Sequence, residues 1–259
     1  MSTSPTEPRT APAIVITGAS AGIGRALACE FAKRGWRLGL AARRLDALSA
    51  LRDELHSQPG SDATQIELLQ LDVDDEETVA PRLSMLFSAL GTVDVVVVNA
   101  GINAFSSVGR GDLATERRIL RTNLLGAIAT VDAAAAFFMP QRRGHIVAIA
   151  SVAAKVAVPR QAAYCASKAG LAHYMDSARI ELSRHGITVG TILPGFVVTD
   201  IMPDIGKYPF AIAADVAARD MARAIIRGQR TAYIPSFPWR WAHPLLNALP
   251  TSLWRRLNR

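Results

Sequence analysis

Seven short apolar runs alternate along the chain with longer stretches of helical periodicity. This alternation is typical of stacked β–α–β units, whose strands form a parallel sheet with helices on both faces. Because such crossovers are right-handed, the sequence predicts a single doubly wound α/β domain with a seven-stranded parallel sheet. The predicted strands are residues 13–17, 37–42, 65–71, 93–98, 145–150, 188–193 and 231–234.

The composition agrees with a chain that buries a large core without cross-links. Of the 259 residues, 50% are hydrophobic and 20% are charged, which suits a sheet that is covered on both faces. A domain of this size needs neither a disulfide nor a metal for stability. We predict a disordered tail over residues 1–12, the α/β domain over residues 13–235, and an apolar and basic extension over residues 236–259 that packs on the same domain.

The cysteines and the apolar segments indicate a cytoplasmic location. Cys29 and Cys165 are the only cysteines, and their spacing matches no metal site. Residues 1–12 do not resemble a signal peptide, and no run of about 18 apolar residues occurs. We therefore predict a reduced, cytoplasmic protein that is soluble or at most peripheral to a membrane.

The positive charge does not indicate a nucleic-acid partner. The formal net charge is +7, but the arginines are scattered and form neither a basic helix nor an aromatic RNA-binding motif. We predict no nucleic-acid binding.

Three glycines with the spacing G-x-x-x-G-x-G follow the first predicted strand and open a helix over residues 22–34. Glycine allows a tight turn and a close approach of the backbone to a pyrophosphate, while the helix N-terminus attracts the anion. A purely structural turn is the alternative. The predicted cofactor contacts in this loop are Gly18, Ser20, Ala21, Gly22, Ile23 and Gly24.

Polar and small residues follow the third and fourth predicted strands. Ligands of open α/β sheets bind beyond the carboxyl ends of the strands, so these residues are candidates to border an adenine ring and a ribose. Each is also an ordinary turn residue. The candidates are Asp72, Val73, Asn99, Ala100 and Gly101.

The end of the second predicted strand indicates which dinucleotide binds. An NAD site places an acidic residue there to bind the ribose 2′-hydroxyl, whereas this chain has Arg43 and Arg44. A guanidinium forms charge-assisted hydrogen bonds to a 2′-phosphate. The alternative is that both arginines are solvated residues at the start of a helix. We predict NADP as the cofactor.

Tyr164 and Lys168 stand four residues apart, so they share one face of a helix. A phenol with a pKa of about 10 must be acidified to exchange a proton near neutral pH. An ammonium at about 4 Å supplies about 4 kcal/mol of that stabilisation at an effective dielectric constant near 20. The alternative is a surface tyrosine packed along a lysine stem.

Ser151 and Asn123 complete a candidate catalytic set. Ser151 follows the fifth predicted strand at the same sheet edge, where its hydroxyl can hold a substrate oxygen against the phenol. Asn123 is a candidate to tether a water that links Lys168 to solvent. Taken singly, Ser151 is more commonly a turn residue and Asn123 an ordinary helix residue.

Together these motifs resemble the short-chain dehydrogenase/reductase family over residues 13 to about 235, a family with a Rossmann fold. The resemblance implies that Tyr164 is the general acid/base, that Ser151 orients the carbonyl, and that Lys168 lowers the phenol pKa and binds the nicotinamide ribose. It also implies a proton relay through Asn123 and a 2′-phosphate at Arg43. The residues that the resemblance places beside the nicotinamide are Tyr164, Lys168, Pro194, Gly195, Val197 and Thr199.

The same resemblance implies a substrate lid over residues 200–214 and a homodimer or homotetramer formed through the long helices. The lid sequence is mostly apolar, which favours an apolar substrate, although an ordinary ordered loop has a similar composition. Residues 236–259 hold three of the four tryptophans, and from Arg230 onward the chain has no acidic residue. This extension is a candidate membrane contact, partner contact or pocket cover, with core packing as the alternative.

We predict an NADP-dependent oxidoreductase that transfers hydride between the nicotinamide and a carbonyl or secondary-alcohol substrate. The alternative is a non-catalytic dinucleotide sensor or scaffold on the same fold. The complete set of Ser151, Tyr164 and Lys168 argues against a sensor, because a sensor needs only the glycine loop.

Overall fold

The computed structural model describes residues 10–57, 65–199 and 208–242. Its main sheet has seven parallel strands in the order β3-β2-β1-β4-β5-β6-β9, which confirms the predicted fold class. The strands are β1 (Ala13–Thr17), β2 (Arg37–Ala42), β3 (Ile66–Gln70), β4 (Val95–Val98), β5 (Gly144–Ile149), β6 (Ile187–Pro194) and β9 (Thr231–Ile234). All seven lie where the apolar runs predict them.

Two further strands of two residues each pair outside the main sheet. They are β7 (Val197–Val198) and β8 (Ile212–Ala213), which are parallel. Runs this short carry no sequence signal of their own.

Helices connect the strands and cover both faces of the sheet. They are α1 (Gly22–Ala32), α2 (Leu45–His56), α3 (Glu76–Leu90), α4 (Leu113–Leu120), α5 (Gly126–Phe138), α6 (Ala162–Ser183) and α7 (Ala214–Ile226). The helix predicted over residues 22–34 ends two residues earlier, and Gly35 follows it with a φ of 71° that favours glycine.

Alternation along the strands divides the core into two layers. On β1, Ile14 and Ile16 pack with the helices α1, α2 and α7, whereas Val15 packs with α3, α5 and α6 on the other face. Since both faces are covered, consecutive strand residues are all apolar, and this explains the continuous runs in the sequence.

The winding of the chain reverses between β1 and β4. The strands β1, β2 and β3 extend the sheet in one direction, and β4, β5, β6 and β9 extend it in the other. Ile16 pairs with Val97, so the loops after β1 and β4 leave the sheet side by side. Such a switch point is where an open α/β sheet binds its ligand.

Residues 113–138 form one continuous helix that contains an irregular turn. A π-helical turn, Arg121–Leu125, joins α4 to α5, and such turns occur frequently at functional sites. Among the described residues, this continuous helix is the one segment long and apolar enough to cross a membrane, and 56% of its most apolar window is buried.

The described residues also refine the chain ends. Ala11 and Pro12, predicted as part of a disordered tail, accept hydrogen bonds from the side chain and the backbone of Arg37, respectively. At the other end, Trp239 is buried. The remaining parts of both predicted terminal segments, residues 1–9 and 243–259, lie outside the described residues.

Candidate active site

The loop after β1 adopts a conformation that requires its glycines. Gly18 and Gly22 have φ values of 69° and 57°, where side chains are strained. A Cβ at Gly24 would overlap the carbonyl oxygen of Gly18. The three predicted glycines therefore serve a turn and a close backbone contact in this loop.

A hydrogen-bonded latch joins this loop to the end of β4. The Asn99 amide donates to the carbonyl oxygens of Thr17 and Gly18, at 2.9 and 3.3 Å. The Thr17 hydroxyl accepts from the backbone N–H groups of Asn99 and Ala100, at 3.1 and 3.2 Å. The Asn99 side chain thus fixes the glycine loop, and a contact of Asn99 with the cofactor stays a prediction.

The N-terminus of α1 fits an anion. Its N-cap residue, Ala21, makes no side-chain capping bond, and the first turn, which is fully described, carries no acidic residue. The backbone N–H groups of this turn and the helix dipole therefore favour a negative group. Half-buried Ser20, Ala21 and Ile23 border the same turn.

A polar cavity of about 200 Å³ lies beyond the ends of β2 and β3. Its lining includes two predicted residues, Arg43 and Asp72, together with Arg82 from α3. Arg44 instead lies over the glycine loop, with its guanidinium 3.4 Å from the Ser20 hydroxyl. The remaining lining residues of the cavity are Gln70, Asp75 and Thr78.

Val73 does not join the polar cavity. It is buried, and a Cβ at Gly126 would lie 2.9 Å from both the Val73 Cβ and its Cγ2. The predicted cofactor contact at Val73 is thus limited to its backbone or to the edge of its side chain.

Ser151 and Tyr164 meet at the carboxyl end of β5. Ser151 caps a 3₁₀ turn, Val152–Ala154, where its hydroxyl accepts from the Ala153 N–H at 3.1 Å. The Ser151 hydroxyl also lies close enough to the Tyr164 phenol to lower its pKa. One turn further along α6, Lys168 places its Nζ 5.9 Å from the centroid of the Tyr164 ring.

Lys168 is buried and held by a main-chain carbonyl. Its Nζ donates to Ile149 O at 3.0 Å. Burial lowers the pKa of the ammonium from 10.5 to about 8. The end of β5 thus orients the amine beside the phenol.

Burial raises the pKa of the Tyr164 phenol above its usual value of 10, although the nearby Ser151 hydroxyl partly opposes this. The sequence predicted a lowered pKa, and the structure shows the opposite direction. The physical reason is that desolvation of the phenolate is the largest effect, while the ammonium lies against the ring and is itself desolvated. The phenol is therefore protonated near neutral pH.

Asn123 lies in the π-helical turn and is fully buried. Its Oδ1 accepts from Ile102 N at 2.7 Å, and its Nδ2 donates to Ile102 O at 2.8 Å. The side chain therefore positions the loop after β4, and its part in a proton relay stays a prediction.

Gly101 leaves open the space between the loop after β4 and the buried lysine. A Cβ at this position would lie 3.2 Å from Asn123 Oδ1 and 3.6 Å from Lys168 Nζ. A side chain would fill this space, so the absence of one at Gly101 fits a ribose held against the lysine. Together with the turn of α1, this space fits a bound dinucleotide.

The loop after β6 faces Ser151 across the sheet edge. Ile149 pairs with Ile192, so Pro194 lies level with Ser151. Gly195 donates its N–H to Ile234 O at 2.8 Å. Val197 is buried in β7, and Thr199 is the last described residue before the gap at residues 200–207.

The predicted lid is only partly visible. Residues 200–207, including Met202 and Pro203, lie outside the described residues. Pro209 and Phe210 are described, and the following β8 pairs with β7, which anchors this end of the segment beside the loop after β6.

Two residues near the site were not predicted. Thr17 precedes the glycine loop, and a polar residue at the end of a buried strand was a usable signal. Arg82 comes from a helix, and no local pattern connects it to the site. Trp239 belongs to the extension that the sequence named as a candidate pocket cover, but its contact with Gly195 was not predicted.

Comparison with known proteins identifies the family. The sequence matches the short chain dehydrogenase family over residues 12–208. An uncharacterized oxidoreductase of Myxococcus xanthus is 36% identical over 242 residues, which cover 92% of this chain and 93% of the relative.

Solved structures of similar fold agree. A short-chain type dehydrogenase/reductase from Mycobacterium marinum has a TM-score of 0.77 and 28% identity, covering 86% of this chain and 92% of that one. An alcohol dehydrogenase from the archaeon Thermococcus sibiricus, in complex with 5-hydroxy-NADP, has a TM-score of 0.76 and 25% identity, covering 86% and 95%. The chain therefore belongs to the short-chain dehydrogenase/reductase family, whose members are oxidoreductases that bind a nicotinamide dinucleotide.

Proposed function

We propose that this protein is an NADP-dependent oxidoreductase that interconverts an apolar carbonyl compound and its alcohol, with Tyr164 as the general acid/base. The observation that carries the proposal is the meeting of Ser151, Tyr164 and Lys168 at the carboxyl end of β5. A phenol, a hydroxyl that contacts it and a buried amine suffice for proton transfer to a carbonyl oxygen.

Each residue has a defined step in carbonyl reduction. The Ser151 hydroxyl donates a hydrogen bond to the carbonyl oxygen and holds it beside Tyr164. The protonated phenol gives its proton to that oxygen, and the Lys168 ammonium stabilises the phenolate that remains. A dinucleotide held by the glycine loop would supply the hydride that the carbonyl carbon needs.

Replacing Tyr164 with phenylalanine tests the mechanism. Because the phenol moves the proton, Tyr164→Phe should lower kcat for NADPH-dependent ketone reduction by about 100-fold or more. Dinucleotide affinity, measured by titration, should change by less than about twofold, because the ring remains. Tyr174→Phe, which makes the same change on α6, is the control and should keep full activity.

The result also distinguishes the alternative function. If Tyr164→Phe kept the wild-type rate, the assigned proton donor would be wrong. A dinucleotide sensor would instead show tight cofactor binding with no turnover by the wild-type protein. A screen of aldehydes, ketones, 3-oxoacyl thioesters and steroids tests for such turnover.

The arginines at the end of β2 support NADP as the cofactor. Arg43 lines the polar cavity, and Arg44 lies beside Ser20 of the glycine loop. Both guanidinium groups would offer charge-assisted hydrogen bonds to a ribose 2′-phosphate that is bound near the glycine loop. The similar alcohol dehydrogenase from Thermococcus sibiricus binds an NADP derivative, which agrees with this choice.

Steady-state kinetics with both cofactors tests the preference. Arg43→Gln removes one charge-assisted contact, so kcat/KM with NADPH should fall about tenfold while kcat/KM with NADH stays nearly constant. Arg52→Gln, on the surface of α2, is the control. A wild-type kcat/KM for NADH at or above that for NADPH would contradict the proposal.

We further propose a cytoplasmic location, self-association through the long helices, and a peripheral membrane contact through the C-terminal extension. Both cysteines are free thiols, in agreement with a reducing compartment.

Two exposed apolar residues on the long helices support self-association. They are Leu125, in the π-helical turn, and Ile180, on α6. Trp241 is 71% exposed and packs under the Arg240 guanidinium, a pairing suited to an anionic membrane interface.

A further inference from the structure

Five aromatic side chains from three chain segments form two sets of ring contacts, one of which includes the loop after β6. Phe196 lies 5.0 Å from Tyr208 and 5.2 Å from Trp239 between ring centroids, and Phe210 lies 6.1 Å from Phe237. We call these five residues the aromatic wall. Their distances and tilted or perpendicular ring planes are those that attract aromatic rings to each other.

One member of the aromatic wall leaves the sheet at the same edge as Ser151. The pairing of Ile149 with Ile192 brings Pro194 level with Ser151, and Phe196 comes two residues later. The main-chain oxygen of Phe196 also accepts a hydrogen bond from Ile212 N at 3.0 Å, which holds the end of the lid segment beside Phe196. The loop that carries Phe196 thus starts at the sheet edge where the proposed site places the carbonyl.

Trp239 is the buried member of the aromatic wall and packs against Gly195. It is 8% exposed, and its indole lies so close to Gly195 that any Cβ there would overlap it. The Phe196 ring meets the indole almost perpendicularly, at 88°. The C-terminal segment therefore holds the loop after β6 in place, and Trp239 is a positioning residue.

The outer rings remain open to solvent. Tyr208 and Phe210 are more than half exposed, and Phe237 is 70% exposed. Phe210 also has a φ of 64°, a strained conformation for a bulky side chain. Exposed apolar patches and backbone strain both concentrate at functional sites. The exposed ring of Phe210, on a strained backbone, therefore indicates a binding surface.

We infer that the aromatic wall is the recognition surface for the substrate and that the substrate carries a flat apolar ring within a few bonds of its carbonyl or alcohol group. The inference rests on the proposed function. Stacked or edge-on ring contacts reward a planar ligand more than a linear chain of equal size. None of the five wall residues is charged, so the wall gives no electrostatic preference for an ionic substrate.

Two ketones of equal carbon count test the inference with the NADPH-loaded protein. The first is 4-phenyl-2-butanone, which carries a ring, and the second is 2-decanone, which is linear. We expect kcat/KM to be about tenfold higher for the ring ketone. Phe237→Ser should remove most of this ratio, and Phe237→Trp should retain it. Met85→Ser, an equally exposed apolar residue on α3, is the control and should leave the ratio unchanged.

Binding to the Tyr164→Phe variant separates this inference from the proposed function. This variant keeps the wall, so calorimetry should show tighter binding of the ring ketone even without turnover. Preferential binding without turnover by the wild type would support the wall and contradict the proposed reaction. Equal kcat/KM for both ketones, or an equal effect of Phe237→Ser and Met85→Ser, would contradict substrate recognition by the aromatic wall but not the proposed reaction. The wall is also overturned if neither ketone binds.

Discussion

Protonation of Lys168 costs free energy in the folded protein, because its amine is buried. Burial lowers its pKa from 10.5 to about 8, and its hydrogen bond to Ile149 O keeps it in place. Below pH 8 the folded protein carries a desolvated ammonium that the unfolded chain hydrates freely. The group therefore destabilises the fold while serving the site, a common trade-off at functional positions.

Replacing Lys168 with methionine should stabilise the protein. The lowered pKa corresponds to a cost of about 3 kcal/mol below pH 8, which the variant removes while losing a hydrogen bond of about 1 kcal/mol. The wild type regains this stability as pH rises from 8 towards 10.5, because the folded amine loses its proton first. Urea denaturation should thus show the variant about 2 kcal/mol more stable at about pH 7 and nearly equal at about pH 9.5.

Lys33→Met, at the exposed end of α1, is the control for that measurement. It should leave the free energy of unfolding nearly unchanged at both pH values. A Lys168→Met variant less stable than the wild type at neutral pH would contradict the desolvation argument.

At the residue scale, the sequence predicted which side chains lie together more accurately than it predicted their pKa values. The spacing of Tyr164 and Lys168 placed both on one helical face, and Ser151 joined them because strand ends share one edge. The direction of the Tyr164 pKa shift was wrong, because it depends on burial, which spacing does not reveal. The Trp239 contact with Gly195 was invisible, since it joins residues from different elements.

Among the elements, β5 carries a polar residue into the core at its amino end. His145 is 8% exposed, and burial lowers its pKa from 6.5 to about 4, although a hydrogen bond with the Ile225 backbone partly opposes this. The imidazole is therefore neutral in the folded protein. It lies at the end of β5 opposite Ser151, so its effect concerns stability.

Acid should unfold the protein partly through His145. Its lowered pKa means that stability is fully present above pH 6.5 and is lost as pH falls towards 4, by about 3 kcal/mol in total. His145→Phe keeps a ring of similar shape and should lose correspondingly less stability over this range in denaturant titrations. His173→Gln, on the exposed side of α6, should behave as the wild type. An identical acid profile for His145→Phe would contradict the assignment.

The elements also show where sequence patterns end. All seven strands were predicted, because continuous apolar runs mark strands buried on both faces. The π-helical turn was not predicted, because the helical period on each side of it is intact. The contact of Asn123 with Ile102 joins residues that are 21 positions apart, and a local sequence pattern does not show such a contact.

In the whole molecule, the described start of the C-terminal segment packs against the loop after β6 through Trp239. The exposed Trp241 and Arg240 lie near the aromatic wall, and residues 230–259 contain five arginines and no acidic residue. A membrane that dissolves apolar carbonyl compounds would therefore lie close to the substrate entrance.

Vesicle sedimentation tests this contact. The full-length protein should co-sediment with vesicles that contain phosphatidylglycerol, less so at high salt, and the double variant Arg240→Gln/Trp241→Ser should bind several-fold more weakly. These surface changes are preferable to a truncation after Ile234, which would also remove the buried Trp239. Equal partitioning of both proteins would reject the membrane contact.

The latch between β1 and β4 has a consequence for the order of folding. The hydrogen bond from Thr17 to Val97 O spans 80 residues, so the glycine loop is complete only after the fourth strand joins the first. Non-local pairings of this kind form slowly. In a nascent chain that has emerged only as far as β3, one edge of β1 is therefore unpaired. Because the glycine loop is then incomplete, we expect that such a chain does not yet bind a dinucleotide. Cofactor supply can thus stabilise the finished protein, but it cannot guide the first half of its synthesis.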